Sequence, residues 1–353
     1  MDFASDNSGG ASRKILEALV AANSGSTPAY GADDYTLAAS RKVSEIFEHE
    51  CSVFLVTTGT AANALALSAL TPPWGAIFCH EDAHINDDEC GAPEFFTAGA
   101  KLVGLKGAQG KISLAALEDA VERFPAGLVK QVQPASLSLS QATECGTLYS
   151  LDELQNLTAV ARRAGLGVHM DGARFTNAIE SLACTPAQMS WKAGVDVLSL
   201  GATKDGALAC EAVIVFDPAH AAELPFRRKR AGHTLSKGRL LGAQMAAWLD
   251  DDHWRELARH ANSMAARLAM GLAEIPGVRM PWPRQVNEVF TVLPGDIDRA
   301  LRAAGARYYD WGARGLTAMQ APGADEVFVR LVTSFATTQD DVGQFLKVAR
   351  AAA

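Results

Sequence analysis

Apolar runs and helix-period stretches alternate over the first two thirds of this chain. Seven short and largely apolar runs lie at 52–56, 76–79, 101–105, 135–140, 167–170, 195–200 and 211–216. Because they are apolar almost throughout, they predict strands buried on both faces, as in a mainly parallel sheet covered by helices. Ser150 and Glu153 have the spacing of a capping box and Gly165 closes the stretch, so a helix is predicted over 150–165.

The pattern changes near residue 240. From there the chain predicts long helices at 237–250 and 253–273, a strand at 289–293, a helix from Asp296, a strand at 327–332 and a final helix from Asp340. This order is typical of a smaller α+β unit that follows a larger α/β unit. We therefore expect an N-terminal arm at 1–30, a large α/β domain at 31–240 and a small α+β domain at 241–353.

Composition and charge narrow the classes of protein that fit. The 353 residues are 48% hydrophobic and 20% charged, which is typical of a globular protein and excludes a disordered or fibrous chain. The formal net charge of −8 argues against binding to nucleic acid or to anionic membranes, which attract basic surfaces. Taken alone, the same charge also disfavours a phosphorylated ligand.

Cysteine usage and the start of the chain predict its location. The six cysteines lack the regular spacing of disulfide-rich secreted domains, so free thiols in a reducing compartment are expected. The first residues show no basic start followed by an apolar stretch, and Pro72 and Pro73 interrupt the longest candidate for a membrane span. We therefore predict a cytoplasmic protein.

Common nucleotide and metal motifs do not account for the chemistry of this chain. No G-x-G-x-x-G sequence opens a helix after a strand, and the segment from Gly104 to Lys111 lacks the spacing of a P-loop. Four potential zinc ligands fall within twelve positions, at Cys79, His80, His84 and Cys90. Neighbours on a strand point to opposite faces, so Cys79 and His80 are poorly placed to share one ion. No metal site is predicted.

Three polar motifs each follow a predicted strand. They are TTGTAAN at 57–63, HMDGAR at 169–174 and SLGATKDGA at 199–207. Taken singly, they are interpreted as a hydroxyl-capped turn, a helix N-cap and a solvated loop lysine. Ligands of open α/β sheets bind beyond the carboxyl ends of the strands, so the three motifs can instead converge on one site.

Together, the motifs match the three groups by which proteins hold pyridoxal phosphate: its phosphate, its pyridine nitrogen and its aldehyde. The turn at Gly59 and Thr60 offers backbone N–H groups and a hydroxyl to a phosphate at a helix N-terminus. Asp171 can pair with a protonated ring nitrogen, and Lys204 can form a Schiff base with an aldehyde. The 33 positions between Asp171 and Lys204 accommodate one helix and one strand, so both side chains can emerge at the same edge of the sheet.

The chain also resembles a known family through segments that keep their order and spacing. They are SDNSGGAS at 5–12, YGADD at 30–34, TTGTAANALALSALTPPWG at 57–75, AHINDDECGAPEFF at 83–96, HMDGARF at 169–175, SLGATKDG at 199–206, RRKRAGHTLSK at 227–237 and VRLVTSFATT at 329–338. Over essentially its whole length, the chain resembles the L-threonine and phenylserine aldolases, which are fold-type-I pyridoxal-phosphate enzymes. The resemblance implies that fold, that cofactor, and a homodimer or homotetramer with sites between subunits.

The resemblance also implies a role for individual residues. Lys204 would carry the cofactor as a Schiff base, and Asp171 would bind the pyridine nitrogen. Gly59 and Thr60 would form the phosphate-binding turn, and His84 would stack on the ring.

Three further residues match groups that hold the cofactor and the substrate. Arg174 and Arg330 resemble the groups on the hydroxyl side of the cofactor and at the substrate carboxylate, and Ser5 would assist with that carboxylate. The cofactor can labilise any of three bonds at Cα, so an arginine that fixes the carboxylate helps to select the reaction. Arg330 is expected to be that selector; without the resemblance it would be interpreted as an edge residue or an ion-pair partner.

Departures from the family pattern leave open which group takes the proton of the Cβ hydroxyl. Asp205 follows Lys204 where many relatives carry Asn, and we expect it to point away or to be paired, because a facing carboxylate would raise the pKa of the lysine. Some threonine aldolases carry a second active-site histidine in the region 140–147, which here contains none. His84 could be the base, directly or through water, or could only stack on the ring. The resemblance also implies that part of the basic segment formed by 227–230, His233 and Lys237 approaches the phosphate.

The expected function is pyridoxal-phosphate-dependent retro-aldol cleavage of L-β-hydroxy-α-amino acids. L-threonine and L-allo-threonine would give glycine and acetaldehyde, and L-phenylserine would give glycine and benzaldehyde. The nearest alternative is another fold-type-I activity, such as β-elimination or transamination, and a non-catalytic α/β protein is a more distant one. The motifs describe the glycine half of the substrate and leave the aldehyde half open.

Overall fold

Fourteen α-helices and ten strands make up the computed structural model, which describes residues 1–353. The helices are α1 Arg13–Ala22, α2 Asp34–Ile46, α3 Gly59–Leu70, α4 His84–Asp87, α5 Ala92–Phe96, α6 Leu114–Arg123, α7 Leu151–Arg163, α8 Phe175–Leu182, α9 Pro186–Met189, α10 Leu224–Arg230, α11 Arg239–Leu249, α12 His253–Ala273, α13 Gly295–Ala303 and α14 Gln339–Ala351. The strands are β1 Ser52–Val56, β2 Gly75–His80, β3 Lys101–Leu105, β4 Gln133–Ser140, β5 Gly167–Gly172, β6 Val197–Gly201, β7 Glu211–Val215, β8 Glu288–Pro294, β9 Tyr309–Asp310 and β10 Glu326–Val332. None of the helices combines the length and the apolar character that a membrane span requires.

Seven strands form one large sheet in the order β1-β7-β6-β5-β4-β2-β3. β7 pairs antiparallel with β1 and with β6, whereas the other neighbouring strands pair in parallel. β1 therefore runs in the same direction as β4, β5 and β6, and the carboxyl ends of these strands share one edge of the sheet. The three polar motifs were expected to converge at such an edge. This mainly parallel sheet confirms the predicted fold class of the larger unit.

Helices cover both faces of the large sheet, so its strands are buried on both sides. Every residue of β2, β6 and β7 is buried, which explains why their sequence runs are apolar throughout. Ile214 of β7 belongs to the largest apolar core, whereas Val213 and Val215 belong to the separate core under α3. The helix predicted over 150–165 forms as α7, and the capping box predicted at its start is present.

A polar row crosses the buried strands β4, β5 and β6. His169 Nδ1 lies 2.9 Å from Ser138 Oγ, and His169 Nε2 lies 3.0 Å from Ser199 Oγ. Burial lowers the pKa of His169 to about 4, although nearby Asp171 opposes the shift. His169 is therefore a neutral core residue at pH 7, and its two ring nitrogens link three strands.

A second, antiparallel sheet with the order β8-β10-β9 lies in the C-terminal part of the chain. Helices α12, α13 and α14 pack a separate apolar core against it. The N-terminus joins this core, because Phe3 is fully buried in it. The Phe3 N–H donates to Arg307 O and the Phe3 carbonyl accepts from Val332 N, at 2.8 Å each. The small α+β unit matches the predicted fold class, while the domain boundaries at 30 and 240 stay predictions.

The segment predicted as a polar arm, 1–30, contains a helix that the sequence pattern did not indicate. Ile15 and Ala22 of α1 are buried, and α1 packs against α11. Apolar residues at Ile15, Leu19 and Ala22 have helical spacing, but the run is short and follows a Gly/Ser-rich opening. α11 packs in turn on α2 and places Met245 in the core of the larger unit.

Replacing glycine by alanine should have opposite effects on stability at two helical positions, Gly242 and Gly343. A Cβ added to Gly242 in α11 would lie 2.4 Å from Thr36 N, so Gly242→Ala should separate α11 from α2 and lower the free energy of unfolding by about 1–3 kcal/mol. A Cβ at Gly343 in α14 meets nothing within 4 Å, so Gly343→Ala should raise the free energy of unfolding by about 0.5–1 kcal/mol. Urea unfolding followed by circular dichroism measures both effects. A Gly242→Ala variant as stable as the wild type would contradict the packing of α11 on α2.

Candidate active site

A cavity of about 520 Å³ opens at the edge where the carboxyl ends of β1, β4, β5 and β6 meet. Only five of its 27 lining residues are hydrophobic, so the cavity is suited to a polar ligand. The lining includes all eight site residues predicted from the sequence, which are Ser5, Gly59, Thr60, His84, Asp171, Arg174, Lys204 and Arg330. The fold therefore brings the three motifs together with the N-terminal segment and β10.

The N-terminus of α3 forms one end of the cavity. Thr58 caps this helix, because its Oγ1 accepts a hydrogen bond from Ala61 N at 3.1 Å. Gly59 and Thr60 are the first two residues of α3, so their N–H groups have no partner within the helix. A Cβ added to Gly59 would meet no atom within 4 Å, so the space beside it is open. Free donors at the positive end of a twelve-residue helix are suited to a phosphate.

The basic run expected to approach the phosphate forms α10, and none of its four residues lines the cavity. Arg228 lies over the ring of Phe54, with 5.6 Å between its guanidinium carbon and the ring centroid. The connection to the cavity is made by His233, whose Nδ1 lies 3.3 Å from Thr57 Oγ1. None of residues 227–230 lines the cavity, whereas His233 contacts its lining through Thr57, so the approach of this basic segment to the phosphate stays a prediction.

Asp171 lies at the carboxyl end of β5 and is almost fully buried. Its Oδ2 accepts a hydrogen bond from Asn63 Nδ2 at 2.8 Å, and its Oδ1 accepts one from Ala173 N at 3.0 Å. Both oxygens are held by neutral donors, and no basic side chain forms an ion pair with them. The carboxylate can therefore pair with a positively charged ligand atom in the cavity.

His84 begins α4 and is held by two carboxyl groups. Its backbone N–H donates to Glu144 Oε1, and its Nδ1 lies 2.9 Å from Glu89 Oε1. Glu89 Oε1 also accepts a hydrogen bond from Asn63 Nδ2 at 2.8 Å, which connects this group to Asp171. The hydrogen bond to Glu89 raises the pKa of His84 above its ordinary value; burial opposes the shift, and Asp171 adds to it.

Lys204 follows β6 in a single 3-10 turn and reaches the cavity. Its amine makes no hydrogen bond or ion pair within the chain. Asp205 is buried away from the cavity lining, and burial raises the pKa of its carboxyl group well above the ordinary value. Trp248 Nε1 donates to the backbone carbonyl of Asp205 at 2.9 Å and holds the turn. The expectation that Asp205 points away from the lysine is confirmed.

The two arginines at the other end of the cavity have unequal surroundings. Arg174 forms a bidentate pair with Asp6, at 2.8 Å from Nε and 3.1 Å from Nη2. The fully buried Glu288 lies between the arginines, with its Oε1 3.4 Å from Arg174 Nη1 and 3.9 Å from Arg330 Nη1. Arg330 lies over the ring of Trp311, 4.4 Å from the centroid, and has no bidentate partner. Arg330 is therefore the guanidinium that is free to bind a carboxylate.

Two further buried carboxyl groups line the cavity, and burial raises the pKa of each, Glu144 and Glu211, to about 7. Glu144 lies in the region 140–147, which contains no histidine. Its Oε1 accepts hydrogen bonds from Ser140 Oγ and His84 N, at 2.9 Å each, while its Oε2 is buried without a partner. The cavity thus contains acids that are partly protonated near neutral pH.

Several polar residues of the site were not predicted from the sequence, among them Asp6, Asn63, Glu89, Glu144, Glu211 and Glu288. Asn63 has a recognisable signal, because it lies inside the TTGTAAN motif one helical turn after Gly59. Glu288 is a lone acid in an apolar strand, a pattern that indicates a buried carboxylate with a charged partner. The others have no spacing that connects them to their partners.

The comparisons with known proteins agree with this geometry. The family model described as beta-eliminating lyase matches residues 2–294. The chain belongs to this family. The low specificity L-threonine aldolase of Pseudomonas aeruginosa is 43% identical over 314 residues, which cover 89% of this chain and 90% of that protein. Its counterpart from Pseudomonas sp. (strain NCIMB 10558) is 40% identical over 330 residues, covering 93% and 94%.

Solved structures of related proteins share the fold of this beta-eliminating lyase family member. The threonine aldolase of Leishmania major matches with a TM-score of 0.91 at 30% identity, covering 99% of this chain and 98% of that chain. Serine palmitoyltransferase of Sphingomonas wittichii matches with a TM-score of 0.71 at 16% identity, which shows the fold alone. The predicted family, the fold-type-I class, the lyase class and the pyridoxal phosphate cofactor are confirmed.

The raised pKa of Glu144 predicts how stability depends on pH. Such a group favours the folded state below its ordinary pKa of 4.5, and this contribution is lost as the pH rises through about 7. The free energy of unfolding of Glu144→Gln, relative to the wild type, should therefore increase by roughly 2–3 kcal/mol between pH 5 and pH 8. The matched control is Glu118→Gln, on the exposed face of α6, which should show no such increase. Urea unfolding at both pH values measures the difference, and a pH-independent difference would contradict a protonated Glu144 in the cavity.

Proposed function

We propose that this beta-eliminating lyase family member is a pyridoxal-phosphate-dependent low-specificity L-threonine aldolase. It cleaves L-threonine, L-allo-threonine and L-phenylserine to glycine and the corresponding aldehyde. The observation that carries the proposal is that Lys204, Asp171 and the N-terminus of α3 face one cavity, with Arg330 at its other end. The relatives that are 43% and 40% identical are both named low specificity L-threonine aldolase, which supports the substrate class.

The cavity fits pyridoxal phosphate in its size and in its polar groups. Its volume of about 520 Å³ is typical of sites that hold a small molecule. The free N–H groups of Gly59 and Thr60 are suited to the phosphate. The carboxylate of Asp171 is suited to the protonated ring nitrogen, and the unpaired amine of Lys204 is suited to the aldehyde.

Bound there, the cofactor supplies an electron sink that makes a bond to the substrate Cα easier to break. The orientation of the substrate determines which bond that is. Arg330 lacks a bidentate partner of its own, so it binds the substrate carboxylate, and Ser5 assists from the same lining. Nε and Nη2 of Arg174 pair with Asp6 and its Nη1 lies 3.4 Å from Glu288 Oε1, so two carboxylates fix Arg174 in the cavity lining, where it would hold the hydroxyl side of the cofactor.

His84 is the base that this site offers to the Cβ hydroxyl. Its Nδ1 is engaged by Glu89, whereas its Nε2 makes no hydrogen bond within the chain. About 42% of the side chain is exposed, so the ring can stack on a cofactor and still reach a substrate proton directly or through one water. Stacking and proton transfer are therefore compatible roles for this one residue.

The family description favours a second candidate activity, which is β-elimination. That reaction keeps the Cα–Cβ bond, removes the Cβ hydroxyl group and ends in a 2-oxo acid and ammonia. The same cofactor and the same lysine serve both reactions, so the products decide between them.

Assembly and location belong to the same proposal. We place the protein in the cytoplasm as a homodimer or homotetramer with its sites between subunits. Tyr30, in the YGADD segment, is 56% exposed, and Phe226 of α10 is 77% exposed. Lys229 Nζ lies 5.0 Å from the Tyr30 ring centroid, so the YGADD segment and α10 contribute to one surface. A partner subunit on this surface would supply the contacts that large exposed aromatic residues lack.

The products formed from L-phenylserine and L-threonine test the proposed function. The purified protein should be yellow and should release glycine with benzaldehyde or acetaldehyde, because the Cα–Cβ bond is the one that breaks. Lys204→Ala should lack the visible absorbance of the bound cofactor, because the amine that forms the Schiff base is gone. Its kcat should fall by at least about 10³-fold, as expected when the residue that acts covalently is removed. Chromatography of the products and an absorbance spectrum measure both.

Lys101→Ala is the matched control, because this lysine is exposed on β3. It should keep the colour and the activity of the wild type. A 2-oxo acid in place of glycine would favour β-elimination or transamination, and a colourless wild-type protein that binds no pyridoxal phosphate would contradict the cofactor assignment.

Arg330→Lys tests the role of the free guanidinium. A lysine keeps the charge but loses the planar fork that binds a carboxylate through two hydrogen bonds. We expect kcat/KM for L-phenylserine to fall by about 10- to 100-fold, as the loss of one charged hydrogen bond implies. The fraction of 2-oxo acid among the products should rise, because the substrate is held less firmly. Arg163→Lys on the exposed face of α7 is the control, and equal kinetics for the two variants would exclude Arg330 as the carboxylate site.

A further inference from the structure

One oxygen atom of a buried carboxylate joins two functional parts of the cavity. Glu89 Oε1 accepts a hydrogen bond from Asn63 Nδ2 at 2.8 Å and lies 2.9 Å from His84 Nδ1. The Glu89 side chain has 0% exposure, and its Oε2 is buried without a hydrogen-bond partner. A side chain with such surroundings can act only through the groups that touch it.

The amide of Asn63 must face these carboxylates with its nitrogen. Asn63 Nδ2 lies 2.8 Å from Glu89 and 2.8 Å from Asp171, and an amide nitrogen has two hydrogens to give. A flipped amide would place its oxygen against two acceptors. The buried Oδ1 of Asn63 is left without a partner, which is the consequence of this orientation.

The same logic places the proton on the imidazole ring of His84. An ionised carboxylate only accepts hydrogen bonds, so His84 Nδ1 is the donor in the pair with Glu89. The neutral ring then carries no proton on Nε2, which is the nitrogen without a partner in the chain. In this tautomer His84 presents a lone pair to the cavity.

We propose that Glu89 is a positioning residue for the proton transfer at the substrate Cβ hydroxyl, holding His84 with Nδ1 protonated and Nε2 free, and coupled to Asp171 through Asn63. This inference rests on the proposed aldolase function. In the step, the hydroxyl proton moves to Nε2 and the O–H electron pair becomes part of the aldehyde C=O bond. The Cα–Cβ electron pair stays with Cα, which is protonated in the product glycine, so no outside reactant is needed.

The charges around His84 determine the pH dependence of this step. Glu89 and Asp171 favour the protonated ring, Lys204 disfavours it, and Glu144 contacts only the backbone N–H. Because the ring must be unprotonated to accept a proton, the rate should fall as the pH drops through the raised pKa of His84. Removing the charge of Glu89 should lower that pKa and weaken the base at the same time.

Glu89→Gln separates charge from shape. The amide oxygen of Gln can still accept from His84 and Asn63, so a purely packing role would survive the change. We expect the acid limb of the pH profile of kcat for L-phenylserine to shift to lower pH by about one unit. The plateau kcat should fall by at least about 10-fold, a part of the ~10²–10⁴-fold that a general base contributes. KM and the visible spectrum of the cofactor should change little.

A readout independent of turnover is the titration of the His84 ring in the holoenzyme. Labelling the protein with carbon-13 histidine allows the ring resonances to be followed by NMR. The resonance that disappears in His84→Asn is assigned to His84. The titration midpoint should fall in Glu89→Gln and should stay unchanged in Glu122→Gln, the matched control on the exposed face of α6.

The double variant shows whether Glu89 acts through His84. In the His84→Asn background, Glu89→Gln should cost less than about 2-fold in kcat, because the two residues work as a unit. An additive effect, or an unchanged midpoint and acid limb in the single variant, would overturn the positioning role. If the wild type forms no glycine and aldehyde, the proposed function fails, and the NMR midpoint alone then decides whether Glu89 holds the Nδ1-protonated ring.

Discussion

The site depends on the amide group of Asn63, which lies between two buried carboxylates. Asp171 and Glu89 would repel each other without a donor between them, and Asp171 has no basic side chain as its partner. Asn63 lies one helical turn after Gly59, so the same helix, α3, sets both the phosphate end and the spacing of the carboxylates. α3 can do this because eight of its twelve residues are buried, which holds the helix firmly against the sheet.

Local groups, rather than the net charge of −8, determine which ligand the cavity takes. The proposed phosphate end is built from N–H groups of α3, which are donors whatever the total charge is. Two acids that line the cavity, Glu144 and Glu211, carry less than a full charge each near neutral pH, because burial raises the pKa of each to about 7. The acidic balance of the whole chain therefore bears on nucleic acid and membranes but not on one enclosed cofactor.

The sequence could predict those lining residues of the cavity whose position follows from the order and direction of the strands alone. Motifs that follow parallel strands meet at one edge, so Asp171 and Lys204 were expected together. Partners such as Glu89 and Asp6 could not be predicted, because side-chain packing between distant segments determines which carboxylate reaches which base. The helix α1 was missed for a related reason, since its short apolar pattern gains stability only from contact with α11.

The end of the cavity that contains Arg174 and Arg330 is assembled from segments near both ends of the chain. Phe3 anchors the N-terminal segment in the core of the small unit, and that anchor fixes Asp6 against Arg174. The small sheet supplies Arg330 and the buried Glu288 between the two arginines. Because Arg174 is already paired with Asp6, Arg330 is the guanidinium proposed to bind the substrate carboxylate. In the proposed function the carboxylate and the amino group of the substrate are held at different ends of the cavity, and these two attachments together restrict the orientation of Cα that determines which bond the cofactor weakens.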